Sequence, residues 1–196
     1  MSKLLYLKHW QLFLLLIGVP IVLQSIVISS TFNGGDLSTM MIAFPLMTIV
    51  FVGLFFGWFY ALGTGLHRKL PSSVQMNLTQ FKVFLAIPII YILLLCLFTL
   101  SAIGDPGTFG KSTLKFAGIL VPVHLFSMFC IFHSLYFIAK ALKSTEWQRP
   151  VTFSDFAGEF FLIWFYPIGV WIIQPRINEL FANDQNSDAD LFHSAS

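Results

Sequence analysis

Charge is what this chain has least of. Of its 196 residues, 10% are Asp, Glu, Lys or Arg, against roughly 25% in a soluble domain, while 57% are hydrophobic. A soluble fold has no place for that excess. Cysteine is almost as scarce: Cys96 and Cys130 are the two present, both inside apolar runs, so they suggest no disulfide framework and no relay of thiol pairs. Also missing are a Gly-x-Ser-x-Gly elbow, a phosphate-cradling glycine loop, a His-x-x-x-His or His-Glu-x-x-His pair and the histidine clusters of a di-iron site. These absences argue against an enzyme. They leave no expected catalytic residue, metal, cofactor or nucleic-acid partner.

What is present is five long apolar runs, each with a proline in or near it: Pro20, Pro45, Pro88, Pro122 and Pro167. A helix needs ~20 apolar residues to cross a hydrocarbon core about 30 Å thick. The runs predict an all-α, polytopic transmembrane bundle with spans at about 11–29, 40–66, 81–103, 116–142 and 153–174. The fifth is the least regular, since its uninterrupted apolar part covers only residues 160–173. Thr152-Phe-Ser-Asp155 reads as a capping box that starts a helix at Phe153, and Pro175 ends it. Residues 1–177 form one membrane domain, and the polar tail, 178–196, is too poor in apolar residues to bury a core and is expected to be disordered after a turn or two. The first run has no A-x-A-like site after it and is expected to remain as a span rather than be cleaved as a signal peptide.

Lys and Arg resist translocation, so their excess marks the cytoplasmic side. With the N-terminus inside, Lys3, Lys8, Arg68, Lys69, Lys82, Lys140, Lys143 and Arg149 are cytoplasmic, eight in all, against Lys111, Lys115 and Arg176 outside. Five crossings place the C-terminus outside. A re-entrant hairpin at Pro167 and Gly169 would instead return Arg176 inside and raise the count to nine against two. Trp10 and Trp147 at the inner boundary and Trp171 near the outer one fit an interfacial aromatic belt.

Pro45 and Pro122 can stand in the first turn of their helices, where a missing amide costs little. Pro20, Pro88 and Pro167 cannot be moved there without leaving too short a span, so they are read as kinks. Gly53, Gly57, Ala61 and Gly65 recur every four residues along the second run. In lipid, close approach through small residues is a main source of helix packing. This ladder predicts a helix contact, within the chain or with a second copy or a membrane-protein partner. Glu159, about 9 Å into the fifth helix, needs a partner, water or protonation at that depth; His133 on the fourth run is the candidate partner, the alternative being that Glu159 sits at the headgroup boundary near a helix N-terminus. Tyr166 shares the face of Glu159. These three residues, His133, Glu159 and Tyr166, form the candidate intramembrane polar site.

The stretch from Pro150 to Asn178, PVTFSDFAGEFFLIWFYPIGVWIIQPRIN, together with Leu5-Tyr-Leu-Lys-His-Trp-Gln11, resembles a group of uncharacterised bacterial inner-membrane proteins. The resemblance implies a bacterial cytoplasmic membrane and no particular activity. Small size, the glycine ladder and the lack of a charged pathway favour a non-catalytic accessory or subunit of a membrane assembly. The alternatives are a small oligomeric transporter or channel with a polar cavity near Glu159 and His133, and an intramembrane enzyme acting on lipid.

Overall fold

The structure, a computed structural model, describes the backbone of residues 2–33, 37–101 and 106–194 and the side chains of residues 4–30, 32–33, 42–101 and 118–182. After a short 3-10 turn at Ser2–Leu5, the helices are α1 (His9–Phe13), a π-helical turn (Leu14–Gly18), α2 (Val19–Phe32), α3 (Leu37–Arg68), α4 (Leu78–Ser101), α5 (Pro106–Trp147), α6 (Phe153–Trp164) and α7 (Tyr166–Ser194). No strand occurs among the described residues. Helices satisfy their own backbone amides, which is what an apolar solvent demands of a chain this hydrophobic.

Four helical segments are long and apolar enough to cross a bilayer: His9–Ser30, Ile42–Arg68, Leu78–Ser101 and Gly118–Trp147. They match the first four expected spans to within a few residues. Their apolar side chains face outward rather than into a core, with only 11% of the first window buried. The protein is therefore a helical membrane protein, with lipid in the role that a core plays in a soluble one.

The segment expected as a fifth span is two helices instead of one. α6 ends at Trp164, Phe165 leaves helical geometry (φ −86°, ψ 54°), and α7 begins at Tyr166. The Phe165 N–H still bonds the Phe161 carbonyl at 2.8 Å, while its own carbonyl accepts the N–H groups of Ile168 and Gly169. In an unbroken helix the Pro167 ring would collide with the Ile163 carbonyl. The break at Phe165 moves Pro167 into the first turn of α7, where its missing N–H is no loss. Pro167 is thus a helix starter rather than a kink. α7 then folds back on α6, and Gly169 makes this close approach: a Cβ there would overlap the Leu162 carbonyl oxygen. Twelve residues of α6 cover about 18 Å, short of the ~30 Å core.

Pro20 follows directly on the π-helical turn, whose extra residue loosens the backbone near the Leu16 carbonyl that the proline ring would otherwise strike. Pro88 is buried within α4. Pro45 and Pro122, expected in first turns, lie inside α3 and α5 because those helices begin earlier, at Leu37 and Pro106. α7 likewise runs on through Pro175 to Ser194, where a disordered tail was expected beyond Asn178. Its continuation is anchored by Ile177 and Phe181, both buried.

The chain packs as two units. One holds Met1–Leu14, Trp58–Leu78 and Leu135–Ser196; the other holds Leu15–Gly57 and Thr79–Ser134. The first contains both chain ends and has a dense core of Leu5, Leu12, Phe59, Leu62, Ile138, Leu142, Phe156 and Ile173, each at most 4% exposed. The second, made of spanning helices, buries fewer large side chains, among them Leu16, Phe56, Phe81 and Leu85.

Candidate functional site

The strongest concentration of charge is in the unit of the chain ends. Glu159, buried on α6, accepts a hydrogen bond from Lys143 Nζ at 2.9 Å and another from Arg176 Nη2 at 2.7 Å. Arg176 on α7 also clasps Glu146 on α5, donating from Nε to Oε1 at 2.7 Å and from Nη2 to Oε2 at 2.6 Å. Two carboxylates and two cations make a neutral cluster in which the guanidinium fork holds two acceptors at once. An open cleft of about 300 Å³ lies beside it, lined by Glu146, Arg176, Glu179 and Leu180.

Burial pushes the Glu159 carboxyl up, but the hydrogen bonds from Arg176 and Lys143 outweigh it and hold the group below its ordinary range. The hydrogen bond to Glu146 pushes the Arg176 guanidinium further above its own. Both members are therefore locked in their charged forms near neutrality. At the start of α6 the Asp155 carboxylate accepts from the Thr152 N–H at 2.8 Å and its hydroxyl at 2.9 Å, which keeps that acid ionised as well. The expected capping pair is present, with both bonds ending on the aspartate.

A second polar knot closes the same unit. Gln174, fully buried on α7, accepts from Trp58 Nε1 at 3.2 Å. Its amide nitrogen lies 3.1 Å from the Leu5 carbonyl and 3.0 Å from that of Leu7, and Asn178 also donates to Leu7 at 3.2 Å. These bonds fasten the backbone of the N-terminal turn ahead of α1 to α7. Trp171 sits against His9 and Phe13, with ring centroids 4.9 and 5.4 Å away. Lys69 Nζ donates to the Leu180 carbonyl at 2.6 Å and lies 4.7 Å from the Phe181 ring.

The residues expected to form one polar site are not brought together. Glu159 takes Lys143 and Arg176 as partners, not His133. His133 belongs to the unit of spanning helices, where its ring meets Phe84 edge-on at 4.4 Å and its buried Nδ1 has no hydrogen-bond partner. Tyr166 is the first residue of α7. The glycine ladder is likewise divided. Gly65 is tightly packed, its Cβ position 2.8 Å from Leu5 Cδ1 and 3.0 Å from Phe181 Cζ, whereas nothing lies within 4 Å of the equivalent point at Gly53.

Lys143, Glu146, Arg176 and Gln174 were not singled out from the sequence. A straight helix from Phe153 to Gln174 would set Glu159 and Arg176 about 25 Å apart, and only the hairpin makes them neighbours. Among the described residues no group of three His, Cys, Asp or Glu side chains is placed to hold a metal. No protein-family model, curated protein or solved structure matches this chain.

Proposed function

We propose that this membrane protein is a non-catalytic component of the bacterial cytoplasmic membrane, an accessory subunit of a larger assembly that crosses the bilayer four times with both ends in the cytoplasm. One observation carries the role. The buried carboxylate and the buried amide of the chain-end unit are spent on closing the fold: Glu159 on Lys143 and Arg176, and Gln174 on Trp58 and the N-terminal carbonyls. A transport pathway or a catalytic centre needs polar groups with capacity left over. A groove on the spanning helices, about 430 Å³ and lined by Leu94, Leu95, Phe98, Ile119 and Val123 among others, is apolar and suits an acyl chain.

The sidedness is supported by the hairpin. α7 meets the N-terminal segment through Gln174 and Asn178, so Arg176 joins the cations on the N-terminal side. The distribution becomes nine against two, Lys111 and Lys115, which satisfies the positive-inside rule better than five crossings do. The bacterial membrane is what the sequence resemblance implies.

Purification from native membranes in mild detergent, followed by mass spectrometry, tests the role: a stoichiometric partner protein is expected, and a lone monomer overturns it. A C-terminal reporter tests the topology separately. Fluorescent protein fused there should light up and alkaline phosphatase should stay inactive; the reverse restores the fifth crossing.

A further inference from the structure

The end of α5 and the length of α6 carry a surface that the cluster around Glu159 does not use. Tyr136, Lys140, Lys143 and Trp147 are spaced three or four residues apart and so share one face of α5. Lys140 Nζ lies 5.9 Å from the Tyr136 ring. Trp147 is flanked by two cations, Lys143 Nζ at 4.6 Å and Arg149 Cζ at 4.7 Å. Lys143 is neutralised by Glu159, and Asp155 is held by Thr152. Among the described residues neither Lys140 nor Arg149 makes a direct ion pair; Arg149 is near enough to Asp155 to help keep that carboxylate ionised, and both basic side chains stand beside exposed aromatic rings.

From Tyr136 the aromatic surface runs on without a gap. Phe153 stacks on Tyr136 at 6.4 Å and 9°, Phe160 follows at 6.0 Å, and Trp164 at 6.2 Å. Phe161 and Phe165 stack on either side of Trp164 at 6.0 and 5.7 Å. Every exposed residue between Phe160 and Ile173 is apolar: Phe161, Trp164, Phe165, Pro167, Ile168, Trp171 and Ile172. A strip with basic side chains at one end and aromatic and aliphatic carbon along the rest matches an amphiphile with an anionic head and a hydrocarbon tail.

We infer that the C-terminal end of α5 and the exposed face of α6 form a binding site for an anionic phospholipid, with the headgroup phosphate on Lys140 and Arg149 and an acyl chain along Phe153, Phe161, Trp164 and Phe165. Zwitterionic lipid satisfies the apolar strip but gains little from the two basic side chains. Inorganic phosphate meets the charges but not the strip. The site lies in the cytoplasmic leaflet if the proposed sidedness holds, but binding to the solubilised protein does not depend on it.

The full-length protein in mild detergent, titrated with phosphatidylglycerol, phosphatidylcholine or inorganic phosphate, gives the test by native mass spectrometry and thermal unfolding. Phosphatidylglycerol adducts should persist and raise the unfolding temperature, while phosphatidylcholine and inorganic phosphate leave it unchanged. Lys140→Gln with Arg149→Gln should weaken phosphatidylglycerol binding roughly 30-fold, at about 1 kcal/mol for each basic side chain. Arg68→Gln, an exposed cation of α3 that makes none of these ring contacts, should leave it intact. Trp164→Ala should weaken retention while keeping the preference for the anionic lipid. Equal retention of both lipids, a double variant that binds as the parent does, or stabilisation by phosphate alone overturns the site. Loss of partner capture with lipid binding intact would instead count against the accessory role.

Discussion

The unit of the chain ends and the unit of spanning helices solve the same problem with different means. In the first, polar side chains reach across the sequence: Arg176 to Glu146, Gln174 to Leu5 and Trp58, Lys69 to Leu180. In the second, hydroxyls turn back on their own helix. Ser25 donates to Ile21, Thr48 to Phe44, Thr99 to Leu95 and Ser134 to Cys130. Between helices there, Tyr91 lies 3.3 Å from His124. A hydroxyl that bonds its own i−4 carbonyl is satisfied in lipid but ties nothing together. The spanning helices must therefore rely on shape and on the lipid around them, whereas the chain-end unit specifies its geometry by directed bonds. The contrast predicts where substitutions will hurt.

The largest effect should come from Gly169→Ala. A methyl group there overlaps the Leu162 carbonyl oxygen, and backbone, unlike a side chain, cannot swing aside. We expect a loss above about 4 kcal/mol, seen as a collapse of the unfolding temperature in detergent and new protease cleavage after Phe165. Parent-like stability would mean that α6 and α7 do not form this hairpin, and the contrast between the units would lose its basis.

Glu159→Gln ranks next. It leaves Lys143, 15% exposed, without its charged partner and Arg176 with Glu146 alone, at a cost on the order of 3 kcal/mol. The same carboxylate gives a pH signature. Its folded pKa lies below the unfolded one, so its contribution is fully present above the unfolded value of about 4.3 and is lost as the pH falls through the folded value. Unfolding temperature should therefore drop below about pH 4 in the parent, and less steeply in Glu159→Gln. Equal slopes would show that the acid sensitivity arises elsewhere.

Four of the spans were legible in the sequence because a run of apolar residues is a direct statement about solvent. The start of α6 at Phe153 was legible for a similar reason, since Thr152 and Asp155 are a local signal. What could not be decided was the consequence of Pro167, for which a crossing and a hairpin both stood open. Hydropathy is the same for one helix of 22 residues and for two shorter ones folded together, so the choice between a span and a hairpin rests on Gly169 meeting Leu162, a contact no pattern reports. With the fifth segment read as one crossing, Glu159 and Arg176 stood far apart, and Glu159 was assigned to His133. The need for a partner was inferred correctly; its identity depended on topology.

Gly65→Ala should cost about 1–3 kcal/mol. Its neighbours at 2.8 and 3.0 Å are the ends of Leu5 and Phe181 side chains, which can yield at the expense of their own packing. Tyr91→Phe in the spanning unit should cost only about 0.6 kcal/mol, the usual size of a polar tie between membrane helices. Differential scanning of both variants in one detergent ranks them. If Tyr91→Phe proves the more damaging, the spanning helices depend on directed bonds after all.

The smallest expected effect separates a property of this chain from a property of its surroundings. Gly53 lies three ladder steps before Gly65 on α3, turned about 120° from it around the helix axis, and a Cβ built on it meets nothing. For the isolated protein, Gly53→Ala should therefore change stability by no more than about 0.5 kcal/mol, and in the favourable direction, because alanine holds a helix better than glycine. The bulkier Gly53→Leu should be equally silent in purified protein. In the native membrane the two cases diverge: if a partner or a second copy covers this face, Gly53→Leu should reduce its recovery on co-purification while the unfolding temperature of the isolated chain stays put. Unchanged recovery would leave Gly53 facing lipid and confine the ladder to its Gly65 end, where the partner is this chain's own Leu5 and Phe181.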